Sequence, residues 1–135
     1  MNRALLLLSA CTMLACSQST SSSTAIGGKW WMGQLFDGTI DVTSQHNPAL
    51  NRWIDFRPDG TYVSGGEPYG DNSGKWSFIQ QNEQKVLFFD SDAGEGDDSY
   101  WLISIDGESM RWKGTNSDFT ERFTVYHQRE QATAE

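Results

Sequence analysis

Residues 99–114 read SYWLISIDGESMRWKG, and this stretch decides the fold class of the chain. Such alternation of apolar and polar residues places the apolar side chains on one face of a strand. The central Asp-Gly pair is a strong signal for a two-residue hairpin turn. The stretch therefore predicts two antiparallel strands with an inward-facing apolar set. That set consists of Trp101, Ile103, Ile105, Met110 and Trp112.

The same period-two pattern continues on both sides of this hairpin and predicts six further strands. Turn signals such as RPDG at 57–60 separate most of them, and a long connection joins the first two. Eight short strands joined mostly by hairpins favour an all-β fold, an antiparallel up-and-down barrel of about eight strands. Such a barrel is filled by side chains or holds one small ligand. The predicted strands are 29–36, 52–57, 61–64, 75–80, 85–90, 99–105, 109–114 and 119–128.

Three motifs in this series resemble a known kind of barrel. GKW at 28–30 opens the first strand, FRPDGTY at 56–62 spans the second turn, and GKW at 74–76 opens the fourth strand. In this order they resemble the small lipocalin-like, calycin-type domains of bacterial secreted proteins and lipoproteins. The resemblance covers residues 28–129 and implies the fold rather than the function, because such barrels serve unrelated functions.

The lipocalin-like resemblance also implies a structure for the base of the barrel. Gly28 would open the first strand and Trp30 would plug the base. In lipocalins an arginine of the last strand often stacks over that tryptophan, and cation–π attraction stabilises such a pair. Arg122 and Arg129 are both candidates, and their spacing does not choose between them.

The first fifteen residues, MNRALLLLSACTMLA, have the composition of a secretory signal peptide. Their apolar run is too short to span a bilayer, which requires about 20 helical residues. MLAC at 13–16 resembles the lipobox of bacterial lipoproteins, which implies that Cys16 is lipidated and becomes the mature N-terminus. LSAC at 8–11 fits the lipobox pattern better but leaves a shorter apolar run, so Cys11 stays an alternative acceptor. A signal peptide with two incidental cysteines is a third interpretation.

A lipid on Cys16 would anchor the protein to a membrane surface without a spanning helix. The lipoprotein resemblance implies the cell envelope, and the outer membrane if the source is Gram-negative, because Ser17 rather than aspartate follows the cysteine. Residues 16–27 are predicted to be a Ser/Thr-rich flexible tether after the lipidated cysteine. The polar residues 130–135 are predicted to be a disordered tail.

Charge and chemistry exclude several classes of function. The chain has 10 Lys and Arg against 18 Asp and Glu, a net charge of −8, and no basic cluster, which argues against nucleic acid as a partner. His46 and His127 are far apart in the chain, and no cysteine would follow Cys16, so neither a metal cluster nor a thiol nucleophile is indicated. The acidic loop 90–98 lacks the ligand spacing of a calcium loop. We expect a protein without catalysis, metal or cofactor.

Aromatic residues are the one excess, at 13% of the chain with six tryptophans. An apolar pocket inside the barrel would bind a small hydrophobic ligand, and this is the leading hypothesis for function. The alternative is a filled core whose outer aromatics and loops bind an envelope protein or a glycan, with Trp31 and Trp53 as the outer candidates. The predicted pocket residues are Met32, Phe56, Trp76, Trp112 and Phe123.

Overall fold

Eight antiparallel strands close into a barrel in the computed structural model, which describes residues 23–115 and 120–131. None of the helices in these ranges has the length and apolar character needed to cross a membrane. The helical segments are α1 (Ser23–Ile26), α2 (Thr43–His46) and a short 3-10 turn (Glu95–Asp97). The strands are β1 (Gly28–Asp37), β2 (Ile40–Asp41), β3 (Trp53–Phe56), β4 (Thr61–Gly65), β5 (Asn72–Gln81), β6 (Gln84–Ser91), β7 (Ser99–Asp106), β8 (Ser109–Thr115) and β9 (Phe123–Arg129).

Strand β1 closes the barrel because it pairs with β3 on one side and with β9 on the other. Trp30 lies opposite both Ile54 of β3 and Arg129 of β9. From β3 to β9 each strand pairs with the next in the chain, and the two-residue β2 only extends β1. The predicted fold class is confirmed: the protein is an all-β, antiparallel, up-and-down barrel of eight strands. This architecture is consistent with a lipocalin-like, calycin-type barrel.

All eight predicted strands occur, and the differences lie at their ends. Strand β5 begins at Asn72 rather than at residue 75, because Asn72 still pairs with Ser64 of β4. Strand β9 begins only at Phe123, whose N–H donates to the Thr120 carbonyl at 3.0 Å in a preceding turn. Phe119, the predicted start of this strand, lies outside the described residues.

The central hairpin has the predicted arrangement. Ile103 of β7 lies opposite Trp112 of β8, and Ile105 lies opposite Met110. Met110 and Trp112 are buried, while Trp101, Ile103 and Ile105 are partly buried and pack against the core. The period-two pattern therefore predicted the inward face of this hairpin correctly.

Residues 25–27, which the composition assigned to the tether, contact the barrel instead. Ile26 is completely buried, and its carbonyl accepts a hydrogen bond from the Trp30 indole at 2.8 Å. One large apolar side chain therefore holds this end of a segment whose Ser/Thr content predicted flexibility. Cys16, the signal peptide and the rest of the tether lie outside the described residues. At the other terminus, the N–H of Glu130 donates to the Lys29 carbonyl at 2.8 Å, so the predicted tail begins with one ordered contact.

The long connection between β1 and β3 folds into β2 and α2. Its anchor is Asn47, which is completely buried. The Asn47 side-chain amide donates to the Met32 carbonyl at 3.0 Å, and its oxygen accepts from the Arg52 N–H at 3.2 Å. Because buried polar groups require partners, these bonds hold the connection against β1 and against the start of β3.

The barrel has two distinct ends. We call one end the base: α1, the turn at residues 57–60 and the turn at residues 107–108 lie there, beside the start of β1 and the end of β9. We call the other end the mouth: it is formed by residues 38–52, 66–71 and 92–98, with the segment that precedes β9.

Candidate functional site

Trp30 is completely buried at the base, and Arg129 stacks over it. The guanidinium carbon lies 4.2 Å from the indole ring centroid, a distance at which cation–π attraction is significant. Arg129 also donates to the carbonyls of Gly27 at 2.5 Å and Ala25 at 2.7 Å. Gly28 opens β1 with a φ of 99°, a conformation that glycine adopts without strain. Of the two arginine candidates, Arg129 is therefore the one at the base.

Arg122 lies on the mouth side of β9 and binds Asp37. Its Nε donates to Asp37 Oδ1 at 2.7 Å, and its Nη2 contacts Oδ2. These hydrogen bonds from Arg122 hold the pKa of the Asp37 carboxyl below its usual value. The prediction of Arg122 as the arginine that stacks over Trp30 is wrong, because Arg122 lies at the mouth end of β9 and Trp30 lies at the base.

The second GKW stretch also builds the base. Trp76 Nε1 donates to the carbonyls of Thr61 at 3.0 Å and Arg57 at 3.2 Å, and its ring packs edge-on against Phe56 with centroids 5.5 Å apart. Gly74, two residues earlier, lies against the Asp90 carbonyl of β6 and the Tyr62 ring, which leave no room for a side chain. The repeated motif therefore serves packing at both of its positions.

A cavity of about 460 Å³ lies in the barrel and reaches the mouth. Pockets that bind small molecules commonly measure about 300 to 1,000 Å³. The wall combines apolar and polar side chains. Apolar and aromatic residues of the wall are Met32, Trp53, Ile54, Tyr62, Phe89, Ala93, Trp101 and Trp112. Polar residues of the wall are Arg52, Ser64, Tyr69, Asp71, Asn72, Asp97, Ser99 and His127.

Two buried polar atoms of the cavity wall have no hydrogen-bond partner among the described residues: Trp112 Nε1 and His127 Nδ1. Trp112 is 7% exposed and His127 is 2% exposed, and their ring centroids lie 4.3 Å apart. An unpaired buried polar group costs about 1–3 kcal/mol. Both rings border the cavity, but the two nitrogens are themselves buried and are not exposed to it.

Burial, with a smaller contribution from the positive charge of Arg52, lowers the pKa of His127 to about 3. The imidazole is therefore neutral near pH 7. A neutral imidazole has one N–H donor and one acceptor nitrogen. His127 can thus bind a ligand by a hydrogen bond, but it carries no charge.

Arg52 supplies the positive charge of the cavity wall. Its Nη1 donates to the His46 carbonyl at 3.0 Å, and its guanidinium carbon lies 4.7 Å from the Tyr69 ring centroid. A hydrogen bond of 2.7 Å joins the Tyr69 hydroxyl to His46 Nδ1, which holds the tyrosine in place. Burial lowers the pKa of Arg52 from its usual value, yet an arginine stays protonated at neutral pH.

Two carboxylates line the cavity from the mouth loops. Asp71 belongs to the loop at residues 66–71, and Asp97 belongs to the 3-10 turn; both are exposed. Burial raises the pKa of Tyr62 in the wall, so its phenol stays protonated. The cavity therefore has a positive side at Arg52 and a negative rim at the two aspartates.

Of the five predicted pocket residues, two line the cavity, one is buried beneath it and two lie elsewhere. Met32 and Trp112 line the cavity. Phe56 is buried beneath it, with its ring centroid 6.2 Å from that of Trp112. Trp76 lies at the base because its indole N–H binds the carbonyls there, and Phe123 packs beside His46 near the mouth. The expectation that Trp76 and Phe123 form part of one pocket with the others is therefore wrong.

Sequence reasoning missed Arg52, Tyr69 and His127 as cavity residues. A signal for His127 exists, because it is two positions from Val125 and thus on the inner face of β9. A signal for Arg52 exists as well, because it begins the predicted strand 52–57 and is two positions from Ile54. Tyr69 belongs to a connection without a period, and only the path of that connection brings it to the cavity.

The two tryptophans predicted for the outer surface form one cluster with a lysine. Trp31 lies opposite Trp53 across the β1–β3 pair. The Lys29 ammonium lies 4.5 Å from the Trp31 ring centroid and 4.8 Å from that of Trp53. Both rings are half-buried, and Trp53 also borders the cavity.

The acidic loop uses its side chains within its own structure. The Ser73 hydroxyl donates to Asp92 at 2.7 Å, and the Ser91 N–H donates to Asp98 at 2.9 Å. In the described part of the chain, no group of three or more His, Cys, Asp or Glu side chains is arranged to hold a metal ion. The predictions of no metal, no cofactor and no catalysis stay predictions.

Fold and site together define an eight-stranded antiparallel barrel with a cavity that reaches one end. No protein-family model and no curated protein matches the sequence. The structure of the chain is similar to a solved structure, the crystal structure at 1.00 Å resolution of a DUF4847 family protein from Bacteroides vulgatus ATCC 8482. The TM-score is 0.53 at 8% sequence identity, and the match covers 78% of this chain and 94% of that chain. At this identity the likeness shows the fold alone.

Proposed function

We propose that the protein binds a small molecule in the cavity at the barrel mouth without transforming it. The observation that carries this proposal is the cavity of about 460 Å³ itself, whose wall combines apolar side chains with the charged Arg52. The cavity also favours this function over the alternative of a filled core that binds partners through its outer aromatics.

The wall indicates what kind of molecule fits. Met32, Ile54, Phe89 and Trp101 provide apolar surface, and burial of apolar ligand surface drives binding. The wall also contains polar side chains, among them Arg52, Ser64 and His127. We therefore propose a ligand with an apolar body and at least one polar group, rather than a pure hydrocarbon.

Filling the cavity should abolish binding. Ser64 lines the cavity, whereas Ser77 is exposed on the outside of β5, so Ser64→Phe and Ser77→Phe form a matched pair. We expect native mass spectrometry of the protein purified gently from its own host to show a discrete bound mass. That mass should be present in the wild type and in Ser77→Phe, and absent in Ser64→Phe.

Two results would contradict the proposed function. One is an unchanged bound mass in Ser64→Phe, which would place the ligand elsewhere. The other is a protein free of bound mass in repeated preparations that also fails to bind the apolar probe 1-anilinonaphthalene-8-sulfonate with a saturable, single-site curve.

We further propose that this binding takes place in the cell envelope, on a protein anchored by a lipid at Cys16. The support is the signal-like composition of residues 1–15 and the lipobox-like MLAC at 13–16. In a Gram-negative source, Ser17 after the cysteine supports the outer membrane as the destination.

Replacing the lipid acceptor should release the protein from membranes. We expect Cys16→Ser to move the protein from the membrane fraction to the soluble fraction after cell lysis, because one or more acyl chains provide the anchor. Cys11→Ser is the matched control and should stay membrane-bound. Membrane attachment of Cys16→Ser, or release of Cys11→Ser alone, would show that Cys16 is not the acceptor.

A further inference from the structure

Within the described part of the chain, Arg52 lacks the acidic partner that Arg122 and Arg129 have. Arg122 pairs with Asp37, and Arg129 lies 3.5 Å from the Glu108 carboxylate. In residues 23–115 and 120–131, no carboxylate forms an ion pair with Arg52. A half-buried guanidinium without a counter-charge is costly, since buried charges are normally paired.

The Arg52 side chain is nevertheless held in a fixed position. The His46 carbonyl accepts one of its N–H bonds, and the Tyr69 ring packs against its planar face. A guanidinium has five N–H donors in a rigid fork that matches a carboxylate. Because the bond to His46 uses only one side of this fork, other donors remain for a ligand in the cavity.

The unpaired buried nitrogens of the wall belong to the same region. The charge of Arg52 acts on His127, whose ring packs against Trp112. Trp112 Nε1 can only donate a hydrogen bond. The wall therefore presents one unpaired positive charge, that of Arg52, which requires an anion.

We infer that the ligand is a monoanionic organic acid whose carboxylate binds Arg52 and whose apolar body packs on Trp101 and Trp112. This inference rests on the proposed function and names its ligand class. The carboxylate supplies the missing counter-charge of Arg52.

The surrounding charges favour a single negative charge over a phosphate dianion. Asp71 and Asp97 line the mouth side of the cavity, and the chain carries a net charge of −8. Both aspartates are exposed, so water and salt screen their effect on a monoanion. Repulsion grows with the charge of the ligand, so it opposes a dianion more than a monoanion.

A matched pair of probes tests the inference on the full chain: 2-naphthaleneacetic acid and its neutral amide. Both have the same aromatic body, and only the acid is charged. Calorimetric titration should show the acid binding about 10- to 100-fold more tightly than the amide, because charge-assisted hydrogen bonds are the stronger ones. Arg52→Gln should remove this preference by weakening the binding of the acid to about the level of the amide. Arg57→Gln, an exposed arginine at the base, is the control and should keep the preference.

Each other outcome overturns the inference in a distinguishable way. Equal binding of acid and amide by the wild type would refute the anion, while the proposed binding function would stand. Preference for the acid in Arg52→Gln would show that another group binds the carboxylate. Absence of binding by either probe would refute the inference, while native mass spectrometry of Ser64→Phe tests the proposed function separately. Continued binding of the amide by Arg52→Gln shows that the cavity is intact in this variant.

Discussion

Replacing Trp30 by alanine is expected to lower the free energy of unfolding by about 3–5 kcal/mol, the range for deleting a large buried aromatic side chain. The indole is completely buried, its N–H donates to the Ile26 carbonyl, and its face supports Arg129. The substitution therefore leaves a cavity and removes a hydrogen bond and a cation–π contact together. Since natural domains are stable by only about 5–15 kcal/mol, this is a large share of the total. Urea unfolding followed by circular dichroism measures the change.

The neighbouring tryptophan provides the control for Trp30. Trp31 is on the opposite face of the same strand and only half-buried, so Trp31→Ala should lower the free energy of unfolding by about 1 kcal/mol. Should Trp30→Ala be too unstable to purify, Trp30→Phe keeps most of the ring volume and should show a smaller loss in the same direction. Equal losses for Trp30→Ala and Trp31→Ala would refute the role of Trp30 as the plug of the base.

Gly74→Ala is expected to destabilise the barrel by about 2–3 kcal/mol, because it forces an additional group into a filled space. An added Cβ would overlap the Asp90 carbonyl oxygen of β6 and lie 2.9 Å from the Tyr62 ring. Gly74 pairs with Ser91, so the overlap can be relieved only by separating β5 from β6. This steric need explains the glycine of the second GKW stretch, and thermal or urea unfolding measures the effect.

A second glycine distinguishes this steric effect from the general effect of alanine. Gly96 lies in the acidic loop, and a Cβ there would have no atom within 4 Å. Gly96→Ala should therefore change the free energy of unfolding by no more than about 0.5 kcal/mol. If Gly74→Ala were as stable as Gly96→Ala, the close approach of β5 and β6 would be refuted.

Much of the fold follows from local pattern. The hairpin of β7 and β8 is specified by alternating large apolar residues around Asp106-Gly107, and the side chain of each strand residue points to a face set by its own position. The same rule places His127 on the inner face with Val125. Eight such strands in sequence leave few topologies other than an up-and-down barrel.

The candidate site depends on contacts between distant residues. The buried Asn47 holds the long connection that leads to Arg52 against β1, and no periodic pattern predicts that packing. Trp76 lies at the base rather than in the cavity wall, because the carbonyls of Arg57 and Thr61 accept its indole N–H. Composition likewise cannot show that Ile26 anchors the end of a Ser/Thr-rich segment.

The sequence by itself therefore determined the strands, their inward faces and the barrel they form, because alternation and turn preference act between residues close in the chain. Only the tertiary structure decided that the barrel encloses a cavity and that its wall joins Arg52, Trp112 and His127. Those residues come from different parts of the chain. Their meeting depends on closure between the first and last strands and on the packing of the connections at the mouth.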